Sequence, residues 1–391
     1  LGDDGRATFN SGTLLTIEST NTENGGNDTI TISDGVNTAF GGVGEDAISV
    51  GDGTNTVLGD NGSLAYDVPS GVTTIQTTDA QYGGVDTINL GAGDNVALGG
   101  TAADAITVTG SSANSTAFVL GDNGYLTQDT NGKLLEIYSA DFAYGDADTI
   151  ALTSGTNAVI GGVAADVITV GDGTNTILGD DGRATFNSGT LLTIESTNTE
   201  NGGDDTITIS DGVNTAFGGV GADSISVGTG RNTVLGDNGS LVLNTTSGIT
   251  TTQTTAAAYG GNDTIAIGEG QNVILGGSAA DTITVTGTAV DSSAIALGDN
   301  GYLTQSSDGS LIEIYSTDFA YGDDDTITLT NGTNVAIGGV AADVITSGTG
   351  VNTILGDDGR ATFNSGTLLT IESTNTENGG NDTITISDGV N

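Results

Sequence analysis

The sequence predicts an all-β chain wound as a parallel β-roll or β-helix solenoid with coils of about 18 residues. Three observations carry that expectation. The string LGDDGRATFN begins at Leu1 and returns, at equal intervals, at Leu178 and Leu355. Within each copy, aspartate and asparagine alternate nine residues apart in runs that stop and resume, as at Asp28, Asn37, Asp46 and Asn55 and again at Asp86, Asn95 and Asp104. Between these markers lie short β-rich pieces bounded by glycine, such as DTITI (Asp28–Ile32) and NTVL (Asn55–Leu58). They have the length and composition of brief strands closed by turns.

Residues 355–391 repeat residues 1–37 letter for letter. The chain therefore reads as one continuous solenoid: a first copy over 1–177, a second over 178–354 and the start of a third over 355–391. Solenoids need polar caps, and no capping sequence is visible at either end, so a window on a longer array is expected. Like markers recur at every second step, from Asp28 to Asp46 and from Asn37 to Asn55. That would stack the aspartates along one edge of a two-walled coil and the asparagines along the other. LGD strings start at Leu1, Leu58, Leu120 and Leu178, dividing the first copy into modules over 1–57, 58–119 and 120–177. Three coils fit each module with a few positions over, so every third coil is expected to be enlarged by a hairpin-like insertion. YLTQDTNGKLLEIYS (Tyr125–Ser139) shows how: two alternating runs flank Asn131–Gly132, a pair that tolerates the positive φ of a tight turn. ATFNSGTLLTIES (Ala7–Ser19) reads the same way.

Composition narrows the function. Asp and Glu number 50 against five Lys and Arg, a net charge of −45, and there is no basic patch for nucleic acid. No apolar run approaches the roughly 18 residues of a membrane span, and no signal peptide is visible. The chain has no Cys, which sets no redox constraint and suits secretion. It also has no His, so the commonest general base is missing along with the thiol nucleophile. The carboxylates are spread evenly rather than paired. No enzyme is expected.

GGVGEDAIS (Gly41–Ser49) and GGVGADSIS (Gly218–Ser226) match the nonapeptide G-G-x-G-x-D-x-U-x at every position. Gly99–Thr107, Gly161–Thr169, Gly276–Thr284 and Gly338–Thr346 match with Ala for the third Gly. Over nearly its whole length the chain thus resembles the repeats-in-toxin (RTX) calcium-binding β-roll family. The resemblance implies a parallel β-roll in which aspartates of adjacent coils and carbonyls of the glycine turns share calcium ions. On the marker positions the implied ligands are Asp28, Asp46, Asp86, Asp104, Asp148 and Asp166, then Asp205, Asp223, Asp263, Asp281, Asp325 and Asp343. In the LGD turns they are Asp60, Asp122, Asp180, Asp237, Asp299 and Asp357. The chain departs from the family in carrying Asn on the second edge.

Electrostatics favours the same reading for the Asp edge. Carboxylates one coil apart, ~4.8 Å, repel by about 1 kcal/mol even in a water-like dielectric. Calcium, which takes 6–8 oxygen ligands, removes that repulsion. The Asn edge needs no ion, because carboxamides can stack as neutral ladders. Asp34 and Asp52 lie near that edge, but their counterparts include Ser154 and Thr229, so sites there would be irregular.

Exact repetition builds length rather than a single site. The function expected is a calcium-stiffened rod in a secreted bacterial adhesin or extracellular matrix fibre, one that self-associates. The row Phe40, Leu58, Leu98, Leu120, Ile160, Leu178, Phe217 and Leu235 precedes the glycine turns. Either it reaches the core, or about 20 coils rising ~4.8 Å each expose an apolar stripe for the hairpins or a second chain to cover. The alternatives are ice binding through GTNT at Gly53–Thr56 and Gly173–Thr176, or a passive secretion and spacer module.

Overall fold

The computed structural model describes residues 1–110 and 114–391. They form two compact units, Leu1–Leu191 and Leu192–Asn391. Both units are built almost wholly of strands; the one helical element among the described residues is a 3-10 turn at Ala257–Tyr259. No helix of the described residues is long and apolar enough to cross a membrane.

Each unit contains three sheets. The first, here the Asp sheet, stacks four-residue strands such as Thr29–Ile32, Ala47–Val50 and Thr87–Leu90 in parallel register. The second, the Asn sheet, stacks longer parallel strands such as Gly35–Phe40, Gly53–Leu58 and Gly93–Leu98. The third is antiparallel and made of hairpins, for example Gly62–Asp67 with Val72–Thr77 and Gly124–Gln128 with Leu134–Ser139. The fold is a β-solenoid with a third wall.

A coil is one Asp-sheet strand followed by one Asn-sheet strand. After two coils the chain leaves to form a hairpin, then returns to the Asp sheet. Asp28 and Asp46 are therefore 18 residues apart, whereas the next neighbours in space, Asp46 and Asp86, are 40 apart. Each module holds two coils and a hairpin rather than three coils. The reason is strand spacing. Every sheet gains two strands per module at the common ~4.8 Å separation, so a two-strand insertion keeps the third wall in step with the other two. Among the described residues the Asp sheet has six strands in the first unit and seven in the second, fewer levels than counting three coils per module gives.

The hairpin turns follow from local chemistry. Ser11 and Gly12 carry the two positive φ values, 50° and 87°, of a two-residue turn. In the 125–139 hairpin, Asp129 Oδ1 accepts the N–H groups of Asn131 and Lys133, and Gly132 takes φ 72°.

Alternation places the core. Ile48 and Val50 point inward from the Asp sheet while Ala47 and Ser49 face out. The Asn-sheet strands are buried on both faces over their second halves: Val96 and Ala97 are both buried, as are Val159 and Ile160. The row from Phe40 to Leu235 is nowhere more than 2 % exposed, so it forms no apolar stripe facing solvent. At the start of each hairpin the chain doubles back over this row. A Cβ added to Gly62 would lie 2.0 Å from Leu58 Cδ2, and one on Gly239 2.0 Å from Leu235 Cδ2.

This contact explains the LGDNG string as a branch point. Leu58 packs on Gly62. Asp60 accepts the N–H groups of Thr101 and Gly84. Asn61 donates to the carbonyl of Tyr82, on the segment that returns from the hairpin.

Candidate metal centre

The marker aspartates sit at the corner where the Asn sheet ends and the Asp sheet begins. In the first unit the backbone N–H of Asp28 donates to Asp46 Oδ1 at 2.6 Å, that of Asp46 to Asp86 Oδ1 at 2.7 Å, and that of Asp86 to Asp104 Oδ1 at 2.6 Å. Asp104 and Asp148 continue the series to Asp148 and Asp166. In the second unit the same bond links Asp205, Asp223, Asp263, Asp281, Asp325, Asp343 and finally Asp382. Each carboxylate therefore commits one oxygen to the neighbouring coil.

The other oxygen has no such partner. Oδ2 of Asp46, Asp86, Asp104 and Asp148, and of Asp263, Asp281, Asp325 and Asp343, is buried without a hydrogen bond. It lies against a glycine and a carbonyl oxygen of the turn. A Cβ on Gly41 would sit 2.2 Å from both Asp46 Oδ2 and the Gly59 oxygen; on Gly59, 2.1 Å from Asp86 Oδ2 and 2.6 Å from the Gly99 oxygen. Gly99, Gly121, Gly236, Gly276, Gly298 and Gly338 repeat the arrangement. The first glycine of the nonapeptide and the glycine of the LGD string are therefore required by space, not by backbone conformation. Gly59→Ala is expected to cost about 3 kcal/mol or more, at the upper end of overpacking. Gly26→Ala, where a Cβ meets nothing within 4 Å, should change stability by less than about 0.5 kcal/mol; paired urea unfolding curves in calcium check both.

The Asn edge shows what a self-sufficient ladder looks like. Asn37 Nδ2 donates to Asn55 Oδ1 and Asn55 Nδ2 to Asn95 Oδ1, both at 2.9 Å. The same amides also donate to the carbonyls of Ser33 and Gly51. Asn157–Asn175, Asn214–Asn232–Asn272 and Asn334–Asn352–Asn391 repeat the pattern. A carboxamide both donates and accepts, so this column closes on itself. An ionised carboxylate only accepts. On the Asp edge an Asn would place its N–H₂ beside the glycine carbonyl and be satisfied, yet every level carries Asp. What belongs at that oxygen is positive: a proton or a cation.

Burial accounts for the acidity. Desolvation, the largest cause, with added repulsion from neighbouring aspartates, pushes Asp46 up to about 6, Asp86 to about 8 and Asp263 to about 9. The same two causes drive Asp104, Asp148, Asp281 and Asp325 well above the usual carboxylate range. Asp343 rises to about 7.

The LGD aspartates Asp60, Asp122, Asp237 and Asp299 are also buried, which raises Asp237 to about 7 and the other three to about 8, but they differ in hydrogen bonding. Asp122 accepts from Val163 and Asp146, Asp237 from Ser278 and Gly261, and Asp299 from Val340 and Asp323, in each case one backbone N–H per oxygen. They pin the hairpin branch to the next coil, as Asp60 does. Asp357 accepts from Gly380, and Asp180 ends the strand Gly173–Asp180 opposite Gly162. Asp3 and Asp382 belong to the two sets by position; the LGDDG and DTITI strings they occupy are the signal in the sequence for them. Near the Asn edge, Asp34, Asp52 and Asp211 each accept one turn N–H.

The donors on the Asp edge are carboxylate and carbonyl oxygens, the kind calcium takes. No three carboxylates gather round one point among the described residues. An ion here would draw its carboxylates from successive levels and the rest of its shell from backbone carbonyls. The residues fit calcium in kind. Compared with known protein families, characterised proteins and solved structures, the chain gives no match.

Proposed function

We propose that the chain is a calcium-stabilised structural segment of a secreted bacterial adhesin or extracellular matrix fibre. The observation that carries this reading is the column of buried, unpartnered Asp Oδ2 atoms beside glycine carbonyls. The ions would be held by Asp46, Asp86, Asp104 and Asp148 in the first unit and by Asp263, Asp281, Asp325 and Asp343 in the second. When bound, calcium supplies positive charge that joins consecutive coils. The chain's own part is to exclude water from the corner and to hold the oxygens in line.

Extracellular calcium modules bind at ~10⁻⁴–10⁻³ M, which suits a segment that folds after export. Neutralising carboxylates also lowers repulsion between chains of charge −45, and self-association in calcium is part of the reading. Equilibrium dialysis at millimolar calcium should find several ions per chain, and light scattering should show larger species in calcium than in chelator. A chain that binds no calcium would overturn the reading; a monodisperse monomer in both buffers would remove self-association from it.

A second reading, ordering of water or ice, gains one observation. Among the described residues the outward face of the Asp sheet carries hydroxyls in register and no charged side chain. In the second unit one rank runs through Thr206, Ser224, Thr264, Thr282 and Thr326 before Val344 ends it, and the next holds Thr208, Ser226, Thr284, Thr328 and Thr346 with Ala266 interrupting it. The GTNT positions serve less well, since Thr176 is buried and Thr56 half-buried on the Asn sheet. Thermal hysteresis with faceted ice crystals would favour this reading; ordinary freezing would exclude it.

A further inference from the structure

On the outer side of the Asn sheet in the first unit lies a recess of about 200 Å³, between the tips of two successive hairpins. Its floor is the sheet itself, with Phe118, Ala158 and Thr176 buried. One wall is the 124–139 hairpin, which contributes Lys133 and Leu134; the other is the following hairpin, with Phe186 and Ser188. Thr156 and Thr174 stand exposed at the mouth. The volume corresponds to about seven waters at ~30 Å³ each, room for a single small ring.

We propose that this recess binds one neutral pyranose unit of a saccharide. The walls fit the two surfaces of such a ring. Phe118, Phe186 and Leu134 offer apolar area to its C–H face. Thr156, Thr174, Ser188 and Lys133 line the same recess and supply the polar groups that its hydroxyls require, since pockets of this kind orient their ligand with a few polar groups on an apolar floor.

Charge selects neutrality. Lys133 is the only lysine in the chain, and it disfavours a cationic ligand. Anions meet the −45 charge of the whole chain and two nearby carboxylates. Asp94 accepts the Thr116 hydroxyl at the edge of the recess, and Asp129 lies at the foot of Lys133, where its Oδ1 accepts the Lys133 N–H. At the efficiency usual for small ligands, the roughly twelve heavy atoms of a hexose give a Kd of about 2 mM.

The second copy supplies substitutions that the fold accommodates. Its equivalents of Phe118, Lys133 and Thr174 are Ile295, Ser310 and Val351. Ile295 and Val351 lie on Asn-sheet strands, as Phe118 and Thr174 do, and Ser310 directly precedes the strand Leu311–Ser316, as Lys133 precedes Leu134–Ser139. Phe118→Ile, Lys133→Ser and Thr174→Val together should leave the circular dichroism spectrum unchanged while weakening the site, with some loss of unfolding midpoint because Ile295 packs beside Val335 where Phe118 has Ala158.

Saturation-transfer NMR on the full chain, in calcium and with its β-structure verified, would be run with glucose, galactose, mannose and N-acetylglucosamine as probes. Glucuronate and glucosamine serve as the charged arms. The expected result is transfer to at least one neutral sugar, weaker by about tenfold in the triple variant. No transfer to any neutral sugar, equal transfer in wild type and variant, or preference for a charged sugar would overturn the proposal.

Discussion

In excess chelator the folded chain is expected to be most stable near pH 4 and to lose stability as pH rises towards 9, with calcium reversing the loss. The sign follows from the raised acidity constants. A carboxyl that holds its proton more tightly when folded contributes stability below its unfolded value near 4. That contribution disappears as pH climbs through the folded value. For Asp46 the window closes at about 6, for Asp86 at about 8 and for Asp263 at about 9. Most proteins with paired carboxylates behave the opposite way and unfold in acid.

The magnitude decides the outcome. Ionising a buried group such as Asp86 within the fold costs on the order of 5 kcal/mol relative to the unfolded chain. A unit with four such levels would lose more than the ~5–15 kcal/mol of a typical domain. The column must therefore hold protons or cations to persist. Thermal melts followed by circular dichroism at pH 4, 6 and 8, with and without calcium, are the measurement. Stability in chelator that is flat or rises with pH would refute the account of the Asp edge.

Exchanging Asp and Asn between the two edges should produce effects of opposite sign. Asp86→Asn puts an amide N–H₂ where Oδ2 now lies beside the Gly99 carbonyl. In chelator at pH 5, where the column still holds its protons, it should stabilise the chain by about 1–3 kcal/mol, through a new hydrogen bond and one fewer buried acid. Its calcium stoichiometry should fall. Asn55→Asp does the reverse. Asn55 donates to Gly51 and Asn95 and is 1 % exposed. A carboxylate there keeps the Asn37 amide as donor to one oxygen, but its other oxygen faces two acceptors, a cost of about 3–5 kcal/mol for a poorly compensated buried charge. Urea titrations of Asp86→Asn in chelator at pH 5 and of Asn55→Asp in calcium at pH 8, with dialysis for bound calcium, read out the pair. Equal destabilisation by both would show that the edges are not chemically distinct.

The sequence alone determined the period, the coil and the two edges. Alternation of Asp and Asn nine residues apart, with glycine between, leaves little choice: a side-chain period of two fills one narrow core, and two such steps return the chain to its start. It also distinguished the edges chemically, because an amide can complete its own ladder and a carboxylate cannot. The NG pair at Asn131–Gly132 marked its hairpin, although only Gly132 takes a positive φ there and Asp129 orders the rest of the loop.

Only the tertiary structure decided what the hairpins do. Their strands form a third wall that advances two steps per module and covers the apolar row from Phe40 to Leu235. That pairing joins strands far apart in the chain, as between Ile75 and Leu126, and no local signal specifies it. The same holds for the LGD aspartates. In the sequence Asp60 and Asp86 are both acids beside glycine turns. In the fold Asp60 takes a backbone N–H on each oxygen while Asp86 keeps one oxygen bare. The difference lies in which distant coil passes alongside, and that is set by packing rather than by neighbours in the chain.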